Sequence, residues 1–329
     1  MASRNGRSSP TTSAADRHRF DDVPAASFGG RILAYQDSFV PLDLYLNVAV
    51  SGVLTGLVYG LMALGLSVIF GVVRVVNFAH GEMMTVAMYI AVTLFSALHL
   101  DPLVMLVPIA AVLFAFGYVL QAGLINPFIT RPEHSQFLLL VAIAIIIVNG
   151  LLIAFGPNSQ NVQVAYAFDS FQLGRLIIDA TKAYAALAAV VVSAALFIFF
   201  RNTKLGTSIR ACADNYTGAL VVGLNVKRLY ALTFALGAAC VGAAGPMLLL
   251  IFDVTPAAGP AYTLLAFVIV ITGGLGSMPG ALVGGVLIGL TEAIAGLVFT
   301  PSAKSMFAFA ILVLVLLFRP QGIMGKRAA

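Results

Sequence analysis

Charged residues are scarce in this chain, and their scarcity decides its broad class. Asp, Glu, Lys and Arg make up 9% of the 329 residues, whereas soluble domains carry about 25%. Apolar residues make up 60%, and the mean hydropathy is +1.02. Apolar runs of roughly 20 residues, each able to cross a bilayer core of about 30 Å, recur from Leu44 onward. The composition therefore predicts a polytopic helical membrane protein.

Other patterns are also missing, and each absence argues against a class of function. Cys212 and Cys240 are too few for a disulfide framework. The sequence lacks a His, Cys and carboxylate cluster with metal-ligand spacing, so we expect no metal site. It also lacks a glycine-rich phosphate loop followed by Lys and Ser or Thr, so the chain is not expected to hydrolyse ATP itself. The net charge of +5 is spread over loops, and nucleic acid is not an expected partner.

The predicted fold is an all-α polytopic membrane protein with about eight or nine transmembrane helices. The seventh apolar run is too short to cross comfortably and is expected to form a broken, partly re-entrant pair with the eighth. Breaks of this kind survive at membrane depth where protein or water covers the freed backbone groups. The predicted spans are about 46–71, 79–98, 103–125, 136–155, 183–200, 228–252, 262–275, 279–299 and 304–318.

The chain divides into a polar tail and a membrane domain. Residues 1–43 are rich in Ser, Thr, Pro and charge, which predicts a mostly disordered tail with a short interfacial helix near 28–39. Residues 44–329 are predicted to form the transmembrane domain. If residues 201–228 face the cytoplasm, the cytoplasmic loops and C-terminus hold ten Lys and Arg, and the later outside loops hold three. This orientation leaves the tail outside.

Residues 201–228 form a polar, basic segment between two apolar runs. They contain five basic residues and one acid, Asp214. A short loop rich in Lys and Arg belongs on the cytoplasmic side. Small residues, among them Ala211, Ala213, Gly218 and Ala219, favour a compact helix over a slack loop. The segment is either a plain cytoplasmic loop or a helix on which a soluble motor could act.

The run Asn77-Phe78-Ala79-His80-Gly81-Glu82 is the most unusual polar run within the membrane region. Asn77 is predicted to cap a new helix, and Glu82 would sit in its first turn, where the positive end of the helix dipole favours an acid. Ionisable groups at membrane depth usually face the bundle interior or an aqueous cavity. Asn77, His80, Gly81 and Glu82 therefore either line or gate a translocation path or hold two helices in register.

Glycines at four-residue spacing predict close helix packing. They pack helices within the subunit or against a partner subunit. The second buried acid, Glu292, would likewise pair with a polar group in the core or face a neighbouring chain. The polar loop at about 156–182 either receives an extracytoplasmic partner or is a solvated connector. The glycines predicted to pack are Gly52, Gly56, Gly60, Gly280, Gly284 and Gly289.

An internal repeat is suggested by the pattern of span, glycine-containing break, new helix, proline and final span. An offset of 199 residues places Gly81 on Gly280 and Pro102 on Pro301. Both final spans end at the cytoplasm in the predicted orientation, so the repeat would be parallel.

Several motifs together resemble one family. The motif NFAHGE lies early, RACADN, GLNVKR and LTFALGAACVGAAG lie in the middle, and GGLGSMPGALVGGVLIGLTEA and RPQG lie near the end. In this order they resemble the permease subunits of branched-chain amino-acid ABC importers, the LivH type. The resemblance covers about residues 44 to 325, and the tail is longer than the family usually carries. Urea and short-chain amide permeases share the same motifs.

The resemblance implies a location, a partner set and a role for the basic segment. The protein would lie in a bacterial inner membrane with a sister permease, two ATP-binding subunits and a periplasmic binding protein. ATP would be used by the partners, and this chain would bind no cofactor. The 204–224 segment would dock on an ATPase subunit, although the glutamate-alanine-alanine start of other importers is absent. Its matching residues are Arg210, Ala211, Ala213, Gly218, Ala219 and Gly223.

Two functions of other classes stay open at the level of the sequence. A proton-coupled transporter that works alone would use Glu82 or Glu292 as its carrier. A membrane-embedded enzyme would need paired catalytic groups, and His80 with Glu82 is the candidate pair. Residues two apart on a helix point to different sides, which disfavours that pair, and no catalytic residue is predicted.

Overall fold

The computed structural model describes residues 42–129, 131–300 and 303–325. The predicted tail and its interfacial helix at 28–39 lie outside the described residues. The first helix begins at Leu42, near the predicted start of the membrane domain at residue 44, and the division into tail and membrane domain stays a prediction.

The described residues form helices joined by short turns and one small hairpin. The order is α1 (Leu42–Val73), α2 (His80–Leu98), α3 (Pro102–Val119), α4 (Glu133–Phe155), β1 (Ser170–Leu173), β2 (Leu176–Asp179), α5 (Ala180–Asn202), α6 (Lys204–Asp214), α7 (Tyr216–Val221), α8 (Val226–Leu249), α9 (Gly259–Gly273), α10 (Met278–Val298) and α11 (Lys304–Phe318). A π-helical turn, Leu120–Ile125, extends α3, and a 3-10 turn, Pro256–Ala258, precedes α9.

Eight helical segments of the described chain are long and apolar enough to cross a membrane. They correspond to the first eight predicted spans, and the ninth, α11, is a shorter apolar helix. The seventh predicted span, 262–275, is shifted: α9 begins at Gly259 and ends at Gly273. The α-helix has 15 residues, or about 22 Å, but with the preceding 3-10 turn it forms an 18-residue segment, Pro256–Gly273, that is long enough to cross. The prediction that the seventh span is too short to cross is therefore wrong.

The bundle has two chemically different ends. At the hairpin end, β1 and β2 pair antiparallel, and the Asn47 side chain at the start of α1 accepts a hydrogen bond from the Ile177 backbone N–H at 2.8 Å. Tyr166 donates to Asp101 at 3.0 Å there, and burial together with this contact raises the pKa of Tyr166. At the basic end lie α6 and α7, which follow Arg201.

The centre of the bundle is built from α1 and α8, which are apolar on all sides and mostly buried. Glycines let α8 approach its neighbours closely. A Cβ added at Gly237 would meet the side chain of Ile69 on α1, and one added at Gly245 would meet Ala87 on α2. By contrast, α4 is exposed over most of its surface.

The predicted glycine stripes contact helices of the same chain. A Cβ at Gly56 would lie 2.7 Å from the Gly285 carbonyl oxygen, and one at Gly284 would lie 2.6 Å from the Ile269 carbonyl oxygen. The first stripe therefore joins α1 to α10, and the second joins α10 to α9. These contacts favour packing within the subunit over packing against a second subunit. Gly52, Gly60 and Gly289 belong to the first contact, and Gly280 belongs to the second.

Helix boundaries follow the suggested repeat. With the offset of 199, the ends of α1 and α9, the starts of α2 and α10, and the ends of α2 and α10 correspond to within one residue. Pro301, the partner of Pro102, lies outside the described residues. The two breaks nevertheless differ in depth. The second break is at the basic end, since Gly276 packs on Gly71 near the end of α1, whereas α2 starts deeper in the bundle.

Candidate functional site

The start of α2 lies half-way along the bundle. His80 Nε2 is 3.0 Å from the carbonyl oxygen of Met62, which is twenty residues into α1. At 1.5 Å per residue, Met62 is about 30 Å from the start of α1 and about 16 Å from its end. After Val73 the chain therefore turns back into the bundle before it becomes helical again. The first polar break is held at membrane depth.

The predicted N-cap at Asn77 is wrong in detail. Helix α2 begins at His80, its N-cap position is Ala79, and Ala79 makes no side-chain cap. Instead, the Asn77 side-chain oxygen accepts a hydrogen bond from the Ala79 backbone N–H at 3.1 Å. Asn side chains commonly bond the backbone two residues on, which forms a turn rather than a helix cap. The turn satisfies a buried backbone donor just before the helix.

His80 has a structural environment. Its side chain is fully buried, and Nε2 bonds a backbone carbonyl oxygen, so the proton lies on Nε2. Thus His80 ties α2 to the middle of α1. Glu82 points elsewhere, towards α9, so the two side chains do not form the acid–base pair that a membrane enzyme would need.

Two helix starts meet at Glu82. The Thr263 hydroxyl, in the first turns of α9, donates to Glu82 Oε2 at 2.8 Å and accepts from the Gly81 N–H at 2.8 Å. A Cβ at Gly81 would run into the carbonyl oxygen of Gly259, the first residue of α9. The positive ends of both helix dipoles therefore converge on one carboxylate, which favours a negative charge there.

Glu82 and Thr263 line a groove of about 460 Å³ between α2, α4 and α9. Its other walls are apolar, with Phe78 and Phe267 among them. Asn149, an exposed polar residue within α4, also lines it and donates to the Ile145 carbonyl oxygen at 2.8 Å. All four predicted path residues are buried. Glu82, which is 3% exposed, is the one that lines this groove, whereas Asn77, His80 and Gly81 make the contacts described above.

Thr263 and Asn149 were not singled out from the sequence. Asn149 could have been noticed as an amide within the apolar run of the fourth predicted span. Thr263 carries little signal by itself, because a threonine in an apolar helix commonly bonds its own helix. Its partner, Glu82, is 181 residues away in sequence.

The second acid of the membrane region is half-buried and lies in a different place. Glu292, on α10, faces the hydroxyl of Tyr59 on α1 and lies near Tyr262 and Lys304. These partners belong to the same chain, which favours the core-pairing hypothesis for Glu292. Tyr262 and Thr263 are neighbours in sequence, but Glu292 is not among the residues that line the groove.

The basic segment is helical, as expected. Thr203 caps α6 by accepting from the Gly206 N–H at 3.0 Å, and Asn215 caps α7 by accepting from the Gly218 N–H at 2.8 Å. Gly223, with a φ of +80°, makes the turn that follows α7. These caps fix the starts of the two short helices. Helices fixed in this way can transmit force from a partner protein.

The predicted coupling residues are unequally accessible. Arg210, Ala211 and Gly223 are exposed, Ala213 and Gly218 are half-buried, and Ala219 is buried. Three consecutive exposed apolar side chains follow Ala219: Leu220, Val221 and Val222, with Val221 82% and Val222 73% exposed. We call these three residues the α7 edge.

An open cavity of about 1680 Å³ enters the basic end. Arg74, Arg201 and Arg210 line it, together with Asp214 and His134. The C-terminal segment forms another part of its wall, since the Ile323 and Met324 N–H groups donate to carbonyl oxygens at the end of α9, each at 2.9 Å.

A family model described as the permease component of the branched-chain amino acid transport system matches residues 48–316. The chain belongs to this family. It is therefore a multi-pass membrane transport component and not an enzyme, and its fold, with broken helices and polar groups at depth, is that of a permease. No solved structure matches the chain.

Named relatives support the family. The high-affinity branched-chain amino acid transport system permease protein BraD of Pseudomonas aeruginosa is 32% identical over 295 residues, covering 86% of this chain and 96% of the relative. The corresponding protein LivH of Salmonella typhimurium is 30% identical over 301 residues, with the same coverages. A probable LivH of Methanocaldococcus jannaschii is 26% identical over 277 residues, covering 80% of this chain and 88% of the relative.

Proposed function

We propose that this permease is the membrane subunit of a binding-protein-dependent ABC importer that moves branched-chain amino acids into the cytoplasm. The relatives are named for branched-chain amino acids, which favours this cargo over urea or short amides. The observation that carries the mechanism is the α7 edge. Exposed apolar side chains on a short, capped helix outside the membrane region are typical of a surface that a partner covers.

The partner set follows from what this chain lacks. Its sequence has no nucleotide-binding loop, so ATP would be bound and hydrolysed by two associated ATPase subunits. A sister permease would cover the exposed surface of α4, and a periplasmic binding protein would deliver the amino acid at the hairpin end. The complex would lie in a bacterial inner membrane, with lipid around it.

Charge at the two ends supports the orientation. Lys and Arg of the described residues concentrate at the basic end, whereas Asp43, Asp101, Asp169 and Asp179 lie at the hairpin end. The positive-inside rule then places the basic end in the cytoplasm. An ATPase docked on the α7 edge would act beside the large cavity, and the cavity would serve as the inner exit of the path.

The docking role is tested with the double variant Val221→Ser, Val222→Ser. Both side chains are mostly exposed, so the change should leave insertion and sister-permease binding intact. We expect the variant to lose most of the ATPase subunits from the purified complex and to transport several-fold less leucine. Gly218 and Ala219 are poorer probes, because bulky side chains there would disturb the cap of α7 itself.

A matched control is Leu173→Ser, an exposed apolar residue on the hairpin at the other end. It should retain the ATPase subunits. Retention by the double variant as well would contradict docking on the α7 edge.

The energy source is tested in vesicles that contain the whole importer. Uptake should continue when the proton gradient is collapsed while ATP is maintained. Glu292 is engaged by Tyr59, and Glu82 by Thr263, and these acids do not form the chain of intramembrane carriers that a proton relay uses. Loss of uptake after collapse of the gradient would favour a proton-coupled transporter instead.

A further inference from the structure

The groove at Glu82 combines one carboxylate with apolar walls. Glu82 has no ion-pair partner among the described residues. Its Oε2 is bonded by Thr263, and its second oxygen makes no hydrogen bond to another described residue. An acidic side chain at membrane depth usually marks a substrate pathway. Its burial costs free energy unless a polar or cationic group pairs with it. The part of the groove that the structure describes supplies no cation.

The form of the groove fits a small amphipathic cation. Its volume of about 460 Å³ lies in the range of small-molecule pockets, about 300–1,000 Å³. The aliphatic wall contains Val141, Ala144, Val148 and Leu264. Asn149 adds an amide that keeps one N–H free after its bond to Ile145.

We propose that this groove is the site at which the permease holds its cargo, with Glu82 receiving a primary ammonium group and the aliphatic wall receiving a branched side chain. Thr263 is a positioning residue, because it holds one carboxylate oxygen and thereby aims the other. Asn149 is placed to meet the remaining polar group of the ligand. The identity of the ligand as an amino acid rests on the proposed function, whereas its ammonium group is inferred from Glu82.

The exposed surface of α4 agrees with a site on the edge of this subunit. One wall of the groove belongs to α4, the helix with the least burial among the eight candidate spans. A small movement of α4 would therefore open or close the groove without disturbing the packed centre around α8.

The site is tested by thiol protection in the complete importer. Val148→Cys places a thiol on the groove wall, and the native Cys212 and Cys240 are both buried. Burial also raises the pKa of Cys212, which lowers its reactivity. A small, water-soluble methanethiosulfonate should label Val148→Cys. Leucine and isoamylamine, which both carry an ammonium group, should slow this labelling. Isocaproate, which has the leucine side chain and carboxylate but no ammonium group, should not.

The role of Glu82 is tested in the same background. Glu82→Gln should raise the leucine concentration for half protection about tenfold or more, because bonds to charged groups are worth roughly twice those to neutral ones. The matched control is Glu292→Gln, the other intramembrane acid, which should leave half protection unchanged. If Glu82→Gln lowers the yield of complex, the comparison of leucine with isocaproate still tests whether the site requires an ammonium group, because it needs no change at Glu82.

Three results would contradict the assignment of this groove as the cargo site. They are no labelling of Val148→Cys, equal protection by isocaproate and leucine, and an unchanged leucine concentration for half protection in Glu82→Gln. The first would indicate that protein or lipid fills the groove. Failure of the proposed function looks different, because the wild-type importer would then show no ATP-dependent uptake of leucine. Protection by isoamylamine would, in that case, still support an ammonium site for another cargo.

Discussion

The two breaks related by the offset of 199 residues have the same backbone plan and different chemistry. The first, between α1 and α2, contains Asn77, leads into His80 and Glu82 in the first turn of α2, and lies half-way along the bundle. The second, between α9 and α10, is Gly274-Leu275-Gly276-Ser277 and lies at the basic end. A broken helix is thus a scaffold, and the side chains and the depth of the break decide whether it can contact a ligand.

Both breaks depend on close backbone contact, and glycine substitution should therefore have the largest effect. A Cβ at Gly81 would collide with the Gly259 carbonyl oxygen, and one at Gly280 with the Gly273 carbonyl oxygen. Neither contact can be relieved by turning a side chain. Gly81→Ala and Gly280→Ala should each cost about 3 kcal/mol or more, at or above the upper end of the usual range for overpacking, so the recovered complex should fall several-fold. Fluorescence size-exclusion profiles measure this yield.

The control for both is Gly150→Ala on α4, where an added Cβ has nothing within 4 Å. Its yield should match the wild type. A normal yield of Gly81→Ala would mean that α2 and α9 are farther apart than the structure places them.

Substitution of His80 should have the next largest effect, and it distinguishes a structural role of this side chain from a role in transport. His80→Ala removes a fully buried side chain and its bond to the Met62 carbonyl oxygen. Leaving a buried group without its hydrogen-bond partner typically costs about 1–3 kcal/mol. We expect a lower yield and melting temperature, partial rescue by His80→Gln, and near-normal leucine transport per assembled complex. A normal yield with lost transport per complex would instead support a role of His80 in the translocation path, which is one of the two roles that the sequence left open.

The sequence predicted the architecture well and the site in part. Long apolar runs and the scarcity of charge fix the helices, since a bilayer allows few alternatives. Glu82 could be found because an acid is rare in such runs. Its partners could not be found, because Thr263 and Asn149 reach the groove through packing between distant helices. The tie between His80 and Met62 also escaped prediction, since a backbone carbonyl leaves no sign in the sequence.

The exact start of a helix is another feature that sequence reasoning misplaced. Asn77 is a good cap by residue type, yet the first turn begins three residues later because Asn77 bonds Ala79 instead. Ser277 at the second break does cap its helix, accepting from the Gly280 N–H at 3.2 Å. The capping preference of Ser277 therefore sets where the helix begins at the second break. At the first break, tertiary contacts with α1 and α9 set where the helix begins.

The difference between the side-chain contacts of Ser277 and Asn77 predicts the smallest of the expected effects, a difference in stability. Ser277→Ala removes a real cap and should cost about 1 kcal/mol, whereas Asn77→Ala removes a buried turn and should cost more, because it leaves a buried N–H without its partner. The melting temperature of the complex should therefore fall less for Ser277→Ala than for Asn77→Ala. Neither side chain is among those that line the groove, so leucine transport per assembled complex should stay near the wild-type value in both variants. Equal stability losses would mean that the two breaks are held alike, and the contrast between a locally capped break and one fixed by tertiary contacts would have to be given up.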